Sequence, residues 1–149
     1  MDSEDILKKL EPGEVIAYVD GSFDADTGEY GAGVVFFFEG ELLEFKRKGD
    51  DTEAALMRNI AGELLASMLA MQQAKKRGAK KITIYHDYKG ISDWCTGAWK
   101  TKKEGTKAYR SYYTKMSEHM DIAFVKVAGH SGNRWNDRAD ELARSAIGK

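Results

Sequence analysis

One proline, Pro12, and one cysteine, Cys95, stand in 149 residues. A lone cysteine can form no internal disulfide and fits a reducing compartment, which makes the cytoplasm the default location. The scarcity of proline, with 15 glycines scattered rather than periodic, excludes collagen-like and proline-rich linker chains. No apolar run nears the ~18 residues of a membrane span, and the acidic start Met1-Asp-Ser-Glu-Asp5 is unlike a secretory signal. Net charge is nearly absent too, at −1, which argues against binding nucleic acid through bulk charge alone.

What is present is an ordinary globular composition, 42% hydrophobic and 32% charged, at a length that suits one domain and a monomer. The charge is unevenly spread. Residues 1–24 carry seven acids against Lys8 and Lys9, whereas 100–115 carry Lys100, Lys102, Lys103, Lys107, Arg110 and Lys115 against Glu104 alone. With Trp99, Tyr109, Tyr112 and Tyr113 interleaved, this basic stretch reads as a phosphate-backbone contact or as a solvated helix face with its aromatics in the core.

Residues 1–13 read as a leader or linker remnant with a turn or two of helix, and 14–149 as the functional domain. Val15–Val19 is a short β-branched run, a strand buried on both faces that ends at Asp20-Gly21-Ser22. Residues 24–29 form a turn by composition; a calcium loop there would lack ligands. Tyr30–Phe38 is a second strand in which Gly31 and Gly33 allow close backbone approach, and Glu39-Gly40 turns into an edge strand over 41–48. Leu56, Ile60, Leu64, Met68 and Met71 then recur at helical spacing, predicting one long helix over about 53–77 that Gly78 ends. A strand follows over 81–86, then a short helix around Trp94 and a second around Tyr109. A strand over 122–127, a loop at 129–132 and a helix over 133–147 complete the chain. The order predicts an α/β fold: a five-stranded mixed sheet, three antiparallel strands then two parallel crossover strands, flanked by helices.

Acids interrupt this apolar framework in informative places. Asp20 ends the most buried strand and Asp87 ends another; each is either a turn residue or a paired or metal-bound group. Glu63 shares a helical sector with Asn59, Ser67, Ala70 and Ala74, small residues suited to close packing on a sheet. In the last helix Asp137 suits the N-terminal turn, leaving Asp140 beside the Ala139/Leu142/Ala143 group as the inward acid. His130 sits in a glycine-bracketed loop. Carboxylates from separate elements, with no histidine or cysteine cluster, describe a hard-cation site for Mg²⁺ or Mn²⁺ rather than zinc. Two such ions about 3.5–4 Å apart are the recurring device for in-line displacement at a phosphodiester.

Together these pieces resemble type 1 ribonuclease H: Tyr18-Val-Asp20-Gly-Ser22, Arg58-Asn-Ile-Ala-Gly-Glu63, Asp87, Val127-Ala-Gly-His130-Ser-Gly-Asn133, and Asn136-Asp-Arg-Ala-Asp140. The resemblance covers about 14–147. It implies a ribonuclease H-like fold and a two-metal endoribonuclease acting on RNA–DNA hybrids, leaving 5′-phosphate and 3′-hydroxyl ends. It makes Asp20, Glu63, Asp87 and Asp140 the catalytic metal ligands for two Mg²⁺ (or Mn²⁺) ions, and His130 an aid to proton transfer or product departure. Gly21, Ser22, Arg58, Asn59, Lys102, Lys103, Asn133 and Asn136 would contact the hybrid, whose 2′-hydroxyls and shape distinguish RNA from DNA.

Three departures stand out. His86-Asp87-Tyr88 replaces the usual Thr-Asp-Ser, and Ile60 replaces a second asparagine near the DNA phosphate. The stretch between Trp94 and His130 is short for a separate basic protrusion helix, leaving 100–115 to contact the DNA strand. A non-catalytic binding module of the same fold and a related DNA nuclease are the alternatives.

Overall fold

The computed structural model describes residues 2–128 and 133–149. Its elements are α1 (Ser3–Lys9), β1 (Glu14–Phe23), β2 (Tyr30–Phe38), β3 (Glu41–Gly49), α2 (Thr52–Ala55), α3 (Asn59–Lys76), β4 (Lys81–His86), α4 (Gly90–Thr96), α5 (Glu104–Ser117), β5 (Asp121–Lys126) and α6 (Arg134–Ala146). The strands form one sheet in the order β3-β2-β1-β4-β5. Pairs β1–β2 and β2–β3 are antiparallel, whereas β1–β4 and β4–β5 are parallel, as the sequence predicts.

Strand alternation divides the core in two. Val15, Ala17 and Val19 of β1 join Val34, Phe36 and Phe38 of β2 under α3. Tyr18, Val35 and Phe37 face the opposite way and pack with Trp135, Ala139 and Leu142 of α6. β2 is buried along its whole length because helices cover both its faces, and each of its phenylalanines contributes about 2–3 kcal/mol of apolar burial. β3 is largely exposed, as an edge strand is.

One feature matches the sequence expectation, a turn or two of helix within 1–13, and one differs. The segment 1–13 carries α1, whose Ile6 is buried against Tyr18 and Phe37 in the α6-side core. The long helix over 53–77 is two helices, because Arg58 takes a positive φ of 58° that breaks the helical path. At this break Met57 turns into the core and Leu56 is left 76% exposed.

Candidate active site

β1 and β4 pair from Glu14↔Lys81 to Tyr18↔Tyr85 and then separate, while β1 continues to Phe23 against β2 alone. The gap opens at the carboxyl ends of two parallel strands, β1 leaving by a hairpin to β2 and β4 toward α4, the kind of place where ligand clefts form in α/β sheets. Asp20 flanks it from β1, and Asp87 follows the last residue of β4.

Helix α3 supplies the third acid by lying unusually close to the sheet. A Cβ on Gly21 would stand 2.2 Å from the Glu63 backbone nitrogen, and one on Gly62 would stand 2.3 Å from the Gly31 carbonyl oxygen. Only glycine permits such backbone-on-backbone contact. The small residues sharing Glu63's sector, Ser67, Ala70 and Ala74, are fully buried beneath the same helix. Behind β2 the arrangement repeats, with a Cβ on Gly33 meeting the Ala139 carbonyl oxygen at 2.1 Å, which seats α6. Carboxylate oxygens of Asp20, Glu63 and Asp87 thereby lie within 4.8 Å of one another.

The electrostatics of this trio are unfavourable as they stand. Asp20 is 5% exposed and Glu63 7%. Burial, reinforced by the charge of Asp87, pushes the Asp20 carboxyl up to about 7, against the one backbone N–H of Gly21 that donates to its Oδ1 at 2.9 Å. Burial and the charges of Asp87 and Asp20 raise Glu63 further still. Glu63 Oε2 is buried without a hydrogen-bond partner, and among the described residues no ion pair reaches any of the three. Oxygen-only donors, an orphaned acceptor and uncompensated negative charge fit a hard divalent cation.

Asp20, Glu63 and Asp87 share a cleft of about 390 Å³ with Gly21, Ser22, Phe23, Arg58, Asn59 and Asp140. Asp140 is on its wall but outside the trio, accepting from Arg144 Nε at 3.0 Å. Arg58 lies over the Phe23 ring, 5.2 Å from its centroid. Phe23 is the wall residue that sequence reasoning misses; its place two residues past Asp20-Gly21 was the available signal. Arg58 also borders a second groove of about 320 Å³, where Lys100, Lys102 and Lys103 meet Tyr88 and Trp94. Only α4 and α5 stand between β4 and β5, so the basic segment is not a separate protrusion.

Two of the expected substrate contacts lie at the start of α6. Asn133 caps α6, its Oδ1 accepting from the N–H groups of Trp135 and Asn136 at 3.0 Å each. Asn136 is 2% exposed, and its Oδ1 is buried without a hydrogen-bond partner. His130 lies outside the described residues. A larger cleft, about 670 Å³, opens beside α1 between Ile6, Tyr18, Tyr85 and Trp135, away from the acids.

The comparisons with known proteins cover nearly the whole chain. The family model for RNase H matches residues 12–148. A ribonuclease H of Francisella tularensis subsp. novicida is 34% identical over 154 residues, covering 96% of this chain and 95% of that one. One from Francisella philomiragia is 34% identical over 144 residues, covering 89% and 90%. The RNase H1 of Halobacterium salinarum superposes with a TM-score of 0.75 at 24% identity, covering 90% of this chain and 97% of that one. LC11-RNase H1, solved in complex with an RNA/DNA hybrid, gives 0.72 at 24% identity, covering 89% and 96%.

Proposed function

Because the chain belongs to the ribonuclease H family and is an enzyme of that class, we propose that it cuts the RNA strand of RNA–DNA hybrids internally, with 14–149 as its catalytic domain. The observation that carries this reading is the trio of buried Asp20 and Glu63 with half-buried Asp87, held within 4.8 Å at a cleft lined by Arg58 and Asn59.

In this reading Asp20, Glu63 and Asp87 hold divalent cations, Mg²⁺ before Mn²⁺, and Asp140 reaches the second ion once released from Arg144. Bound there, a pair of such ions supplies an activated water and charge stabilisation at the scissile phosphate. The protein's own groups orient the strand. The backbone at Gly21 and Ser22 and the Asn59 side chain lie at the cleft lip, where 2′-hydroxyls would identify RNA. Arg58 bridges to the groove in which Lys102 and Lys103 receive phosphates of the DNA strand. Water adds at phosphorus and the P–O3′ bond breaks, leaving a 5′-phosphate and a 3′-oxygen that takes a proton; His130 assists that transfer or product departure.

Labelled hybrid, DNA duplex and RNA duplex, each incubated with Mg²⁺, Mn²⁺ or EDTA, test the proposal. The expected result is internal cutting of the RNA strand of the hybrid alone, abolished by EDTA. Binding of hybrid without cutting at any metal concentration, or equal cutting of plain DNA, would overturn it.

A further inference from the structure

His86, the last residue of β4, immediately precedes Asp87, and its ring lies against Phe124 of the core. It is 1% exposed. Its Nδ1 lies 2.9 Å from the carbonyl oxygen of Tyr88. A carbonyl only accepts, so Nδ1 carries the hydrogen and donates across the Asp87 turn. The same carbonyl accepts from the N–H of Ile91 at 3.1 Å in the first turn of α4. On the other side the His86 carbonyl accepts from the N–H of Val127 at 2.7 Å, beyond the end of β5. Asp87 therefore sits between two backbone positions that are each tied to a neighbouring element.

The ring achieves this at a cost. Its Nε2 is buried with no hydrogen-bond partner, an arrangement that costs free energy and that an apolar side chain would avoid. Phe124 meets the ring edge-on at 5.9 Å between centroids, which fixes its orientation. The single bond that distinguishes histidine from a hydrophobe at this site is the one to Tyr88.

We propose that His86 is a positioning residue: by donating from Nδ1 to the Tyr88 carbonyl it holds the Asp87 turn so that the carboxylate meets Asp20 and Glu63 at a common cation. The inference rests on the functional reading above. Such supports around a ligand typically alter metal affinity by about 10- to 100-fold.

Asparagine at 86 can place its amide N–H where Nδ1–H stands, whereas glutamine reaches the Nε2 position instead. The full chain and its His86→Asn, His86→Gln and His86→Leu variants would be titrated with Mn²⁺, following free Mn²⁺ by electron paramagnetic resonance, and their melting recorded in parallel. The expected result is Mn²⁺ affinity within about threefold of the parent for His86→Asn. For His86→Gln it falls about tenfold or more, with KM for hybrid unchanged and kcat reduced at limiting metal. His86→Leu should behave as His86→Gln; if it does not fold, the Asn/Gln pair still decides. Equal affinity in the Asn and Gln variants, whether retained or lost, would overturn the positioning role while leaving the enzyme's activity intact. A parent that neither binds Mn²⁺ nor cuts hybrid would instead remove the functional reading, and this inference with it.

Discussion

Helix α3 carries two buried polar groups one turn apart, and their surroundings differ sharply. Ser67 Oγ lies 3.0 Å from the Tyr109 hydroxyl, which itself donates to the Ile91 carbonyl oxygen at 2.6 Å. Since that hydroxyl has one hydrogen and gives it to Ile91, Ser67 must donate to it, and the chain of bonds is complete. Four residues earlier, Glu63 faces two further carboxylates with an oxygen unpartnered. The first network ties α3, α4 and α5 together and is satisfied within the protein. The second is unsatisfied within the protein, and in the proposed reading a cation and a substrate supply its balance. Satisfied buried polar groups specify a fold; unsatisfied like charges mark where something else must bind.

The largest expected effect separates the two networks by function. Asp87→Asn should lower hybrid cleavage about a thousandfold, equivalent to ~4 kcal/mol of barrier, because a cation ligand is lost. Its melting temperature without metal should hold or rise, since the charge that burial and crowding oppose in this cluster is removed at Asp87. A steady-state assay beside a thermal melt checks both. Cleavage at the parent's rate would remove Asp87 from the site.

A second effect reads the same cluster through pH. The Asp20 carboxyl is raised to about 7 in the fold by burial and by Asp87, against an ordinary value near 4. Between those values the native state holds a proton that the unfolded chain has released, so stability falls as pH rises. His86, lowered by burial, works the opposite way and loses stability as pH falls. The informative quantity is therefore the difference between parent and Asp20→Asn. In EDTA the variant should gain about 2 kcal/mol on the parent from pH 5.5 to 7, at 1.36 kcal/mol per unit. Urea unfolding at a series of pH values measures it, and a flat difference would contradict the burial argument. Saturating Mg²⁺ should stabilise the parent at pH 8 and leave Asp20→Asn nearly unmoved.

How far the sequence discloses this arrangement follows from what its periodicities carry. Apolar runs that stop at an aspartate place Asp20 and Asp87 where β1 and β4 part, although β1 itself runs three residues past Asp20 because β2 continues to pair with it. A helical sector of small residues places Glu63 on the sheet, since α3 can approach only where side chains are short. The break between α2 and α3 is hidden, because Leu56 and Ile60 keep helical spacing across it and neither glycine nor proline interrupts them. It is set by tertiary packing, in which Met57 rather than Leu56 enters the core. Asn133 and Asn136 are polar residues in a promising motif, and a sequence cannot tell a cap or a buried amide from a ligand contact.

Among the satisfied groups, Tyr109→Phe should cost about 1–3 kcal/mol, because it removes the bond to the Ile91 carbonyl oxygen and leaves buried Ser67 Oγ without this acceptor. The melting point should drop by several degrees. kcat on hybrid at a temperature where the variant is folded should not change, since the network touches no cleft residue. A fall in kcat with stability intact would show that the two polar groups of α3 are coupled after all.

The smallest effect concerns Asp140, which stands between the two regimes. It lines the acidic cleft, yet its carboxylate is about a quarter exposed and already accepts from Arg144 one turn further along α6. A group with its own counter-charge and access to water loses less when neutralised than one with neither. Asp140→Asn should therefore reduce cleavage by about tenfold or less, and should barely alter metal-free stability, where Asp20→Asn and Asp87→Asn change both. Arg144→Ala frees the carboxylate and should strengthen Mn²⁺ binding slightly in the parent background, but not in Asp140→Asn. Should Asp140→Asn prove as damaging as Asp87→Asn, the Arg144 pairing must give way fully when metal and hybrid are bound, and all four acids act as one set.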